Sequence, residues 1–361
     1  LGDWEVDRAK LPNGLQPLID HTLERGLRFG LWVEPEMVNP RSALYAAHPD
    51  WVVAEPGRDR REERHQLVLD LCRPEVAAFC IDVIDRVLAD HPAITYLKWD
   101  ANRDVTEPGS TALAPSRQSH LPIDRIRATW AVMDEVARRH PDVELMLCAS
   151  GGGRSDLGTL RRFHELWTSD DTDPVERVRI QWGASHLLPG AVIAAHVTRW
   201  GQRPFAFACA VALSGRFGFD VDLRALTDEE RATARQAVLA YGRIAELVQH
   251  GELHRLVSPI GSPWCSLAMA SGDGGRLVVF AFTLPSEGTS VAAAPPAVLV
   301  DSPSTMVGRP AYRVTDLTPG PTGPPEPVML SRDELLAGAL AWPAAGALQA
   351  RVWLLEAVVA T

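Results

Sequence analysis

The chain has 361 residues, 46% of them apolar, and a formal charge of -10, enough for one large domain with a small companion or for two ordinary domains. The negative balance and the lack of any lysine- or arginine-rich run argue against nucleic acid or an anionic membrane surface as a partner. No apolar stretch approaches the roughly eighteen residues of a membrane span and the N-terminus shows no signal-peptide pattern, so the expected address is the cytoplasm.

The first element in chain order is an amphipathic helix between Leu11 and Gly26, with Leu15, Leu18, Ile19 and Leu23 at helical spacing and the glycine as a stop. A strand follows, "FGLWVEPE", apolar until Glu34 and closed by Pro35. A helix from Pro74, carrying Val76, Cys80, Val83, Ile84 and Val87, feeds the strand "ITYLKWD". The next helix, Ile123 to Arg139 with Ile126, Trp130 and Met133, leads into "VELMLCAS", and the runs "ELWTSDD", "GAVIAAHV" and "PFAFACAVA" read as three further strands. Apolar strands alternating with amphipathic helices predict a parallel sheet covered by helices. Polar residues gather at the strand ends, at Glu34, Asp100, Ser150, Asp170 and His196. That is the pattern of a (β/α)8 TIM-type barrel, whose carboxyl-end rim carries the active site. Six strands are legible, two short of closure, and the absent pair is expected upstream of Leu1.

A capping box, Thr227 with Glu230, opens a helix that runs to Gln249 and stops before Gly251. The period then changes to two. "CSLAMASGDGGRLVVFAFTL" predicts a hairpin turning at Gly274 and Gly275, with Val278, Phe280 and Phe282 on one face. After the proline-rich "PGPTGPPEP", the closing strand is "LQARVWLLEAVV". The expected domains are a partial barrel over residues 1–251 and a small antiparallel β-sandwich over 252–361.

The five cysteines, Cys72, Cys80, Cys148, Cys209 and Cys265, are scattered and lack CxxC spacing, which predicts core thiols without disulfides or zinc. Lys98 and Asp100 share a strand face while Trp99 points away. A lysine beside an aspartate favours the ionised carboxylate that a nucleophile requires, although a salt bridge in the barrel interior gives the same pattern. Asp170, Asp171 and Asp173 crowd together in "WTSDDTD", so one of them can stay protonated as a general acid, and Asp170 lies nearest the strand end. A magnesium or calcium site is a second reading of that cluster. Helix capping by Asp173 ahead of Pro174 is the structural alternative. "CASGGGR" lacks the spacing of a phosphate loop and suits close approach to a hydroxylated ligand. His186 and His196 show no metal-ligand spacing, and no cofactor or metal is expected. One charged and one neutral carboxylate at separate strand ends, beside Trp32, Trp99 and Trp167 as sugar-stacking faces, make up the equipment of a glycosidase.

Five motifs, "GLWVEPEMVNP", "RHQLVLDLCRPEV", "YLKWDANR", "CASGGGRSDLG" and "LWTSDDTDPVERVRIQWGAS", resemble in order and spacing those of the retaining α-galactosidases of the melibiase family, number thirty-six among glycoside hydrolases. The resemblance covers about residues 1–260, and the last hundred residues resemble the family's C-terminal β domain. It implies that Asp100 is the nucleophile and Asp170 the acid/base. It also implies that Trp32, Arg64, Lys98, Asn102, Cys148 and Gly151 bind galactose. Trp99 and Trp167 are added as aromatic neighbours of the site. The implied reaction is hydrolysis of terminal α-galactose from galactosides such as melibiose and raffinose, through a covalent galactosyl-enzyme, with carboxyl groups about 5 to 5.5 Å apart. Family members carry upstream a β-sandwich, two barrel strands and an Asp-Asp-Gly-Trp motif, none of which is in this chain, and they commonly form homo-oligomers. The rival readings are a sister α-glycosidase or raffinose-forming galactosyltransferase, a sugar-binding remnant without turnover, and a metal-dependent phosphohydrolase.

Overall fold

The computed structural model describes residues 1–285, 296–298, 306, 308–342 and 348–358. The expected range 252–361 and the closing run "LQARVWLLEAVV" both reach into residues outside this set. The chain divides into two compact units, Leu1–Trp167 and Thr168–Thr361.

In the first unit, β1 (Phe29–Val33), β4 (Ile94–Trp99), β5 (Glu144–Leu147) and β6 (Glu165–Leu166) form a four-stranded parallel sheet in that order. The crossovers are helical: α3 (Pro74–Asp90) precedes β4, α4 (Leu121–Arg139) joins β4 to β5, and the short α5 (Leu157–Leu160) joins β5 to β6. Both long helices carry a proline in the first turn, where the missing N–H costs nothing. Val76, Cys80, Val83 and Ile84 of α3 are buried, as are Val132, Met133 and Val136 of α4, and the two helices pack on each other. This is the parallel, helix-covered sheet that the alternating pattern predicts. A small antiparallel pair, β2 (Met37–Val38) with β3 (Leu67–Val68), and the one-turn α2 (Ala43–Ala47) sit in the connection after β1. The first helix, α1 (Gln16–Glu24), buries only Ile19 and leaves Leu18 and Leu23 exposed, so its expected apolar stripe is half covered.

In the second unit, α6 (Pro174–Ala184) starts on Asp173, whose side chain accepts from the Val175 N–H. Two parallel strands follow, β7 (Ala194–Val197) and β8 (Arg216–Phe219), joined through α7 (Phe205–Ala212). The run "PFAFACAVA", expected as a strand, is therefore this helix, and the strand lies beyond it. A continuous apolar run has no polar face to declare its period, and α7 is apolar on all sides because nearly every residue in it is buried.

Helix α8 (Asp228–His250) carries the expected Thr227–Glu230 capping box. An antiparallel sheet of six strands follows, in the order β13-β12-β14-β11-β10-β9. Its members are β9 (Glu252–Val257), β10 (Trp264–Ala270), β11 (Arg276–Thr283), β12 (Ala311–Asp316), β13 (Val328–Ser331) and β14 (Gln349–Ala357), with the short helix α9 (Arg332–Leu336) after β13. The predicted hairpin is β10–β11. Val278, Phe280 and Phe282 share one face with buried residues of α6, α7 and α8, while Leu277, Val279 and Ala281 pack with Tyr312 and Trp353 on the other. Both faces of this sheet are thus covered. The expected sandwich is represented among the described residues by this one sheet.

Candidate active site

The ends of the parallel strands are pinned to one another beyond the last regular pair. Asp100 donates its amide to Val33 O at 2.8 Å, Cys148 to Trp99 O at 2.8 Å and Trp167 to Leu147 O at 2.9 Å. These bonds hold Asp100, Cys148 and Trp167 in register at one edge of the sheet, so their side chains are placed by backbone geometry rather than by flexible loops.

Asp100 is buried to 6% exposure, yet its carboxylate is well supplied with donors. Trp32 Nε1 donates to Oδ2 at 3.0 Å and the Ala101 amide to Oδ1 at 2.8 Å. The Asn102 side chain and the Cys148 thiol lie close enough to favour the charged form as well. Burial pushes the Asp100 pKa up, but these neighbours, led by the Trp32 bond, outweigh it and hold the carboxyl below its ordinary value. Lys98 does not make the expected pair with Asp100. Its ammonium lies over the Trp167 ring, 5.1 Å from the centroid, a cation–π contact. The ionised state is therefore kept by Trp32 from the neighbouring strand and by the Ala101 amide next in the chain, and strand spacing revealed the shared face without revealing these partners. Cys148 is pushed up to about 12, by burial first and then by Asp100, so it stays a neutral thiol and a donor.

Around this carboxylate the backbone is unusually bent. Arg64 (φ 52°), His65 (φ 59°) and Ser150 (φ 45°) are non-glycine residues in the left-handed region, followed by Gly151 (φ 85°). Such residues cost on the order of 1–3 kcal/mol each and concentrate at functional sites. The bends let Arg64 Nη1 reach Asn102 O at 3.3 Å and Ser150 Oγ at 3.2 Å, while Ser150 Oγ contacts Asn102 Oδ1 at 3.3 Å. The loops before β3, after β4 and after β5 are thereby laced into one wall.

Trp32, Arg64, Lys98, Asn102, Cys148, Gly151 and Trp167 all belong to this strand-end neighbourhood of Asp100. Trp99 is turned away from it, as strand alternation requires. It is fully buried, its Nε1 donating to Glu36 Oε1 at 2.9 Å, and Arg154 Nη1 donates to the same oxygen at 2.7 Å with Arg125 3.6 Å from the other. Burial raises the Glu36 pKa, but Arg154 and Arg125 more than reverse this and hold it low. Trp99 is thus a rear anchor of the strand, clamped to a buried ion cluster.

Asp170 belongs to the second unit, in the segment before α6, and is exposed. Its neighbours tie the segment down. Asp171 Oδ1 accepts from Asp173 N at 3.0 Å, and the buried Arg177 donates to Ser169 O at 3.3 Å. Asp173 caps α6 and takes a forked pair from Arg203, with Nη2 2.7 Å from Oδ2. Among the described residues no group of three or more His, Cys, Asp or Glu is arranged to hold a metal ion, and no helix is long and apolar enough to cross a membrane.

Glu34, one of the polar strand ends in the sequence, is 1% exposed, accepts the Asn102 amide on Oε1, and has its other oxygen, Oε2, buried without a partner. Its signal in the sequence is the relation of Trp32 to Glu34 at the end of β1, the same i,i+2 spacing as Lys98 to Asp100 at the end of β4.

Comparison with known proteins relates the sequence and fold of the chain to known enzymes. The Melibiase family model matches residues 1–251. The chain is 43% identical over 293 residues to α-galactosidase AgaA of Geobacillus stearothermophilus, covering 80% of this chain and 40% of that one. It is 37% identical over 268 residues to an α-galactosidase of Escherichia coli, covering 73% and 37%. It therefore spans about two fifths of the length of these curated relatives. Among solved structures, a variant of AgaA in complex with 1-deoxygalactonojirimycin superposes with TM-score 0.88 at 38% identity over 99% of this chain and 48% of that one. The α-galactosidase of Lactobacillus brevis does so with TM-score 0.88 at 30% identity over 100% and 48%. Further AgaA variants are known in complex with stachyose and with raffinose. With a family model matched along residues 1–251 and the same fold in its relatives, the chain belongs to the melibiase family.

Proposed function

We propose that the chain carries the chemistry of a retaining α-galactosidase, releasing terminal α-linked galactose from oligosaccharides such as melibiose and raffinose. Asp100 is the nucleophile and Asp170 the acid/base. Asp100 attacks the anomeric carbon while Asp170 protonates the departing glycosidic oxygen, leaving a β-linked galactosyl-enzyme. Asp170 then takes a proton from water, which displaces Asp100, and two inversions restore the α configuration.

The observation that carries this reading is the state of Asp100: a buried carboxylate kept ionised by directed donors, with an aromatic ring, a thiol and a bent glycine loop beside it. A nucleophile must be charged and immobile, and these contacts supply both. The relatives add support. AgaA variants with single aspartates replaced are those complexed with stachyose and raffinose, and the two replaced aspartates are as far apart along that chain as Asp100 and Asp170 are along this one. Trp32, Arg64, Lys98, Asn102, Cys148, Gly151 and Trp167 are assigned to galactose binding and orientation, and Trp99 to holding the strand behind them. The same reading takes residues 1–251 as a part of a (β/α)8 barrel and 252–361 as the C-terminal β domain. The extent of the family match and the change to an antiparallel sheet at Glu252 support that division. It also takes the enzyme as a homo-oligomer, which light scattering tests.

The test is hydrolysis of 4-nitrophenyl α-galactoside by the chain produced with whatever its gene encodes upstream, with the first-released sugar followed by proton NMR. Retention predicts α-galactose first, and near-complete loss in Asp100→Ala and Asp170→Ala. β-Galactose as the first product would refute retention, and undiminished turnover in either variant would refute the assignment. A longer sugar formed when sucrose is present, in place of free galactose, would favour a galactosyltransferase.

A further inference from the structure

Two carboxyl groups stand at the end of adjacent parallel strands, and the hydrolytic reading uses only one of them. Glu34 follows β1 directly and Asp100 follows β4. Asn102 lies between the two: its backbone N–H donates to Glu34 Oε1, and its side chain is near enough to both carboxyls to favour their charged forms. The charged groups facing Glu34 are Asp100 from the end of β4 and Arg64 from the loop before β3. The second oxygen of Glu34 is enclosed and has no partner.

A carboxylate with a naked, enclosed oxygen beside another carboxylate carries a desolvation cost and a like-charge repulsion at once. The neutral acid avoids both, and it still offers the carbonyl-type acceptor that Asn102 requires. We propose that Glu34 is a positioning residue that works as an uncharged acid, fixing Asn102 and through it the carboxylate of Asp100. Burial first, and then Asp100, push the Glu34 pKa up against the opposing effect of Asn102 and Arg64, in keeping with this role. Glu34 touches no reacting atom. Its contribution is to keep the Asn102 donor aimed, so that Asp100 stays ionised and in place without a second negative charge beside it.

The inference rests on the hydrolytic reading above, and its test separates the two. kcat/KM is measured against pH on 4-nitrophenyl α-galactoside for the wild-type enzyme and for Glu34→Gln, Glu34→Asp and Glu34→Ala, with a thermal melt of each variant. The acid limb of kcat/KM reports the essential base of the free enzyme. Glu34→Gln keeps a neutral acceptor of the same size, so its activity stays within about threefold of wild type and its acid limb is unmoved, since such a difference is well under 1.4 kcal/mol. Glu34→Ala frees Asn102, moves the acid limb to higher pH, and lowers kcat more than KM rises, by about tenfold, corresponding to one lost hydrogen bond to a charged group. Glu34→Asp, too short to reach Asn102, behaves as the alanine variant and stands in for it if alanine does not fold. A glutamine variant as impaired as the alanine variant would show that the charge is needed and overturn the proposal, as would an alanine or aspartate variant with an unmoved acid limb. A wild-type enzyme without activity on any α-galactoside would instead sink the hydrolytic reading.

Discussion

The hydrogen bond from Trp32 to Asp100 gives a quantitative handle on the nucleophile. Trp32→Phe removes the Nε1 donor, 3.0 Å from Oδ2, and keeps an aromatic face for the sugar. A bond to a charged acceptor is worth about 1.5–3 kcal/mol. Trp32 is 41% exposed, so water can enter the vacated position and restore part of the solvation, which places the loss at the lower end, about 1.5 kcal/mol. That equals about a tenfold fall in kcat/KM on the acid side of the profile. The direction follows from the linkage. The folded-state pKa of Asp100 is held low, so its ionised form persists as pH falls; removing a donor raises that pKa, and activity is lost at a higher pH than in wild type. The assay is kcat/KM against pH on 4-nitrophenyl α-galactoside. An acid limb that does not move, with the loss confined to KM, would show that Trp32 serves only as a stacking surface and would refute the electrostatic account of Asp100.

Glu36→Gln removes the counter-charge shared by Arg154 and Arg125 behind the site. Breaking a buried ion pair costs about 3–5 kcal/mol, and because both arginines retain some exposure we expect about 3 kcal/mol, read by urea denaturation; a loss under about 1 kcal/mol would contradict the clamp. Asp173→Ala removes the cap of α6 and the Arg203 pair, lowering stability by about 1–2 kcal/mol. Burial raises the Asp173 pKa but Arg203 and the Val175 amide outweigh it, so this stabilisation is present above the ordinary value of 3.8 and lost as pH falls through the lower folded-state value; the gap between wild type and variant in melting temperature should close in acid. No thiol of the native protein should react rapidly with a disulfide reagent at pH 8: burial, then neighbouring Asp70, lifts Cys72 to about 11, and burial, then Asp100, lifts Cys148 to about 12. All five should titrate after unfolding, and rapid labelling of native Cys148 would contradict its packing against Asp100.

Much of the fold was legible because local rules and burial agree in it. The strand before Glu34, the strand ending in Asp100, the capping box at Thr227 and the β10–β11 hairpin each carry a period or a terminal residue that only one element satisfies. The strand misplaced onto α7 failed because a helix buried on every side has no polar face. At the site, the shared face of Lys98 and Asp100 followed from alternation, as did the turning away of Trp99. The placing of Trp32 and Cys148 against Asp100 did not follow from spacing, because they come from neighbouring strands and meet it only through parallel pairing. The positive φ angles of Arg64 and Ser150 had no residue-type signal, since neither is glycine. Glu34 was visible as a strand-end acid, but its enclosure beside Asp100 is a property of the folded sheet.

The sharpest test of the two aspartate roles is azide rescue of the alanine variants. If Asp100 is the nucleophile, azide restores turnover of an activated α-galactoside by Asp100→Ala through direct displacement and yields β-galactosyl azide. If Asp170 is the acid/base, azide added to Asp170→Ala intercepts the galactosyl-enzyme and yields the α anomer. The opposite pairing of anomers, or rescue of neither variant by azide while wild type turns over, would contradict the account.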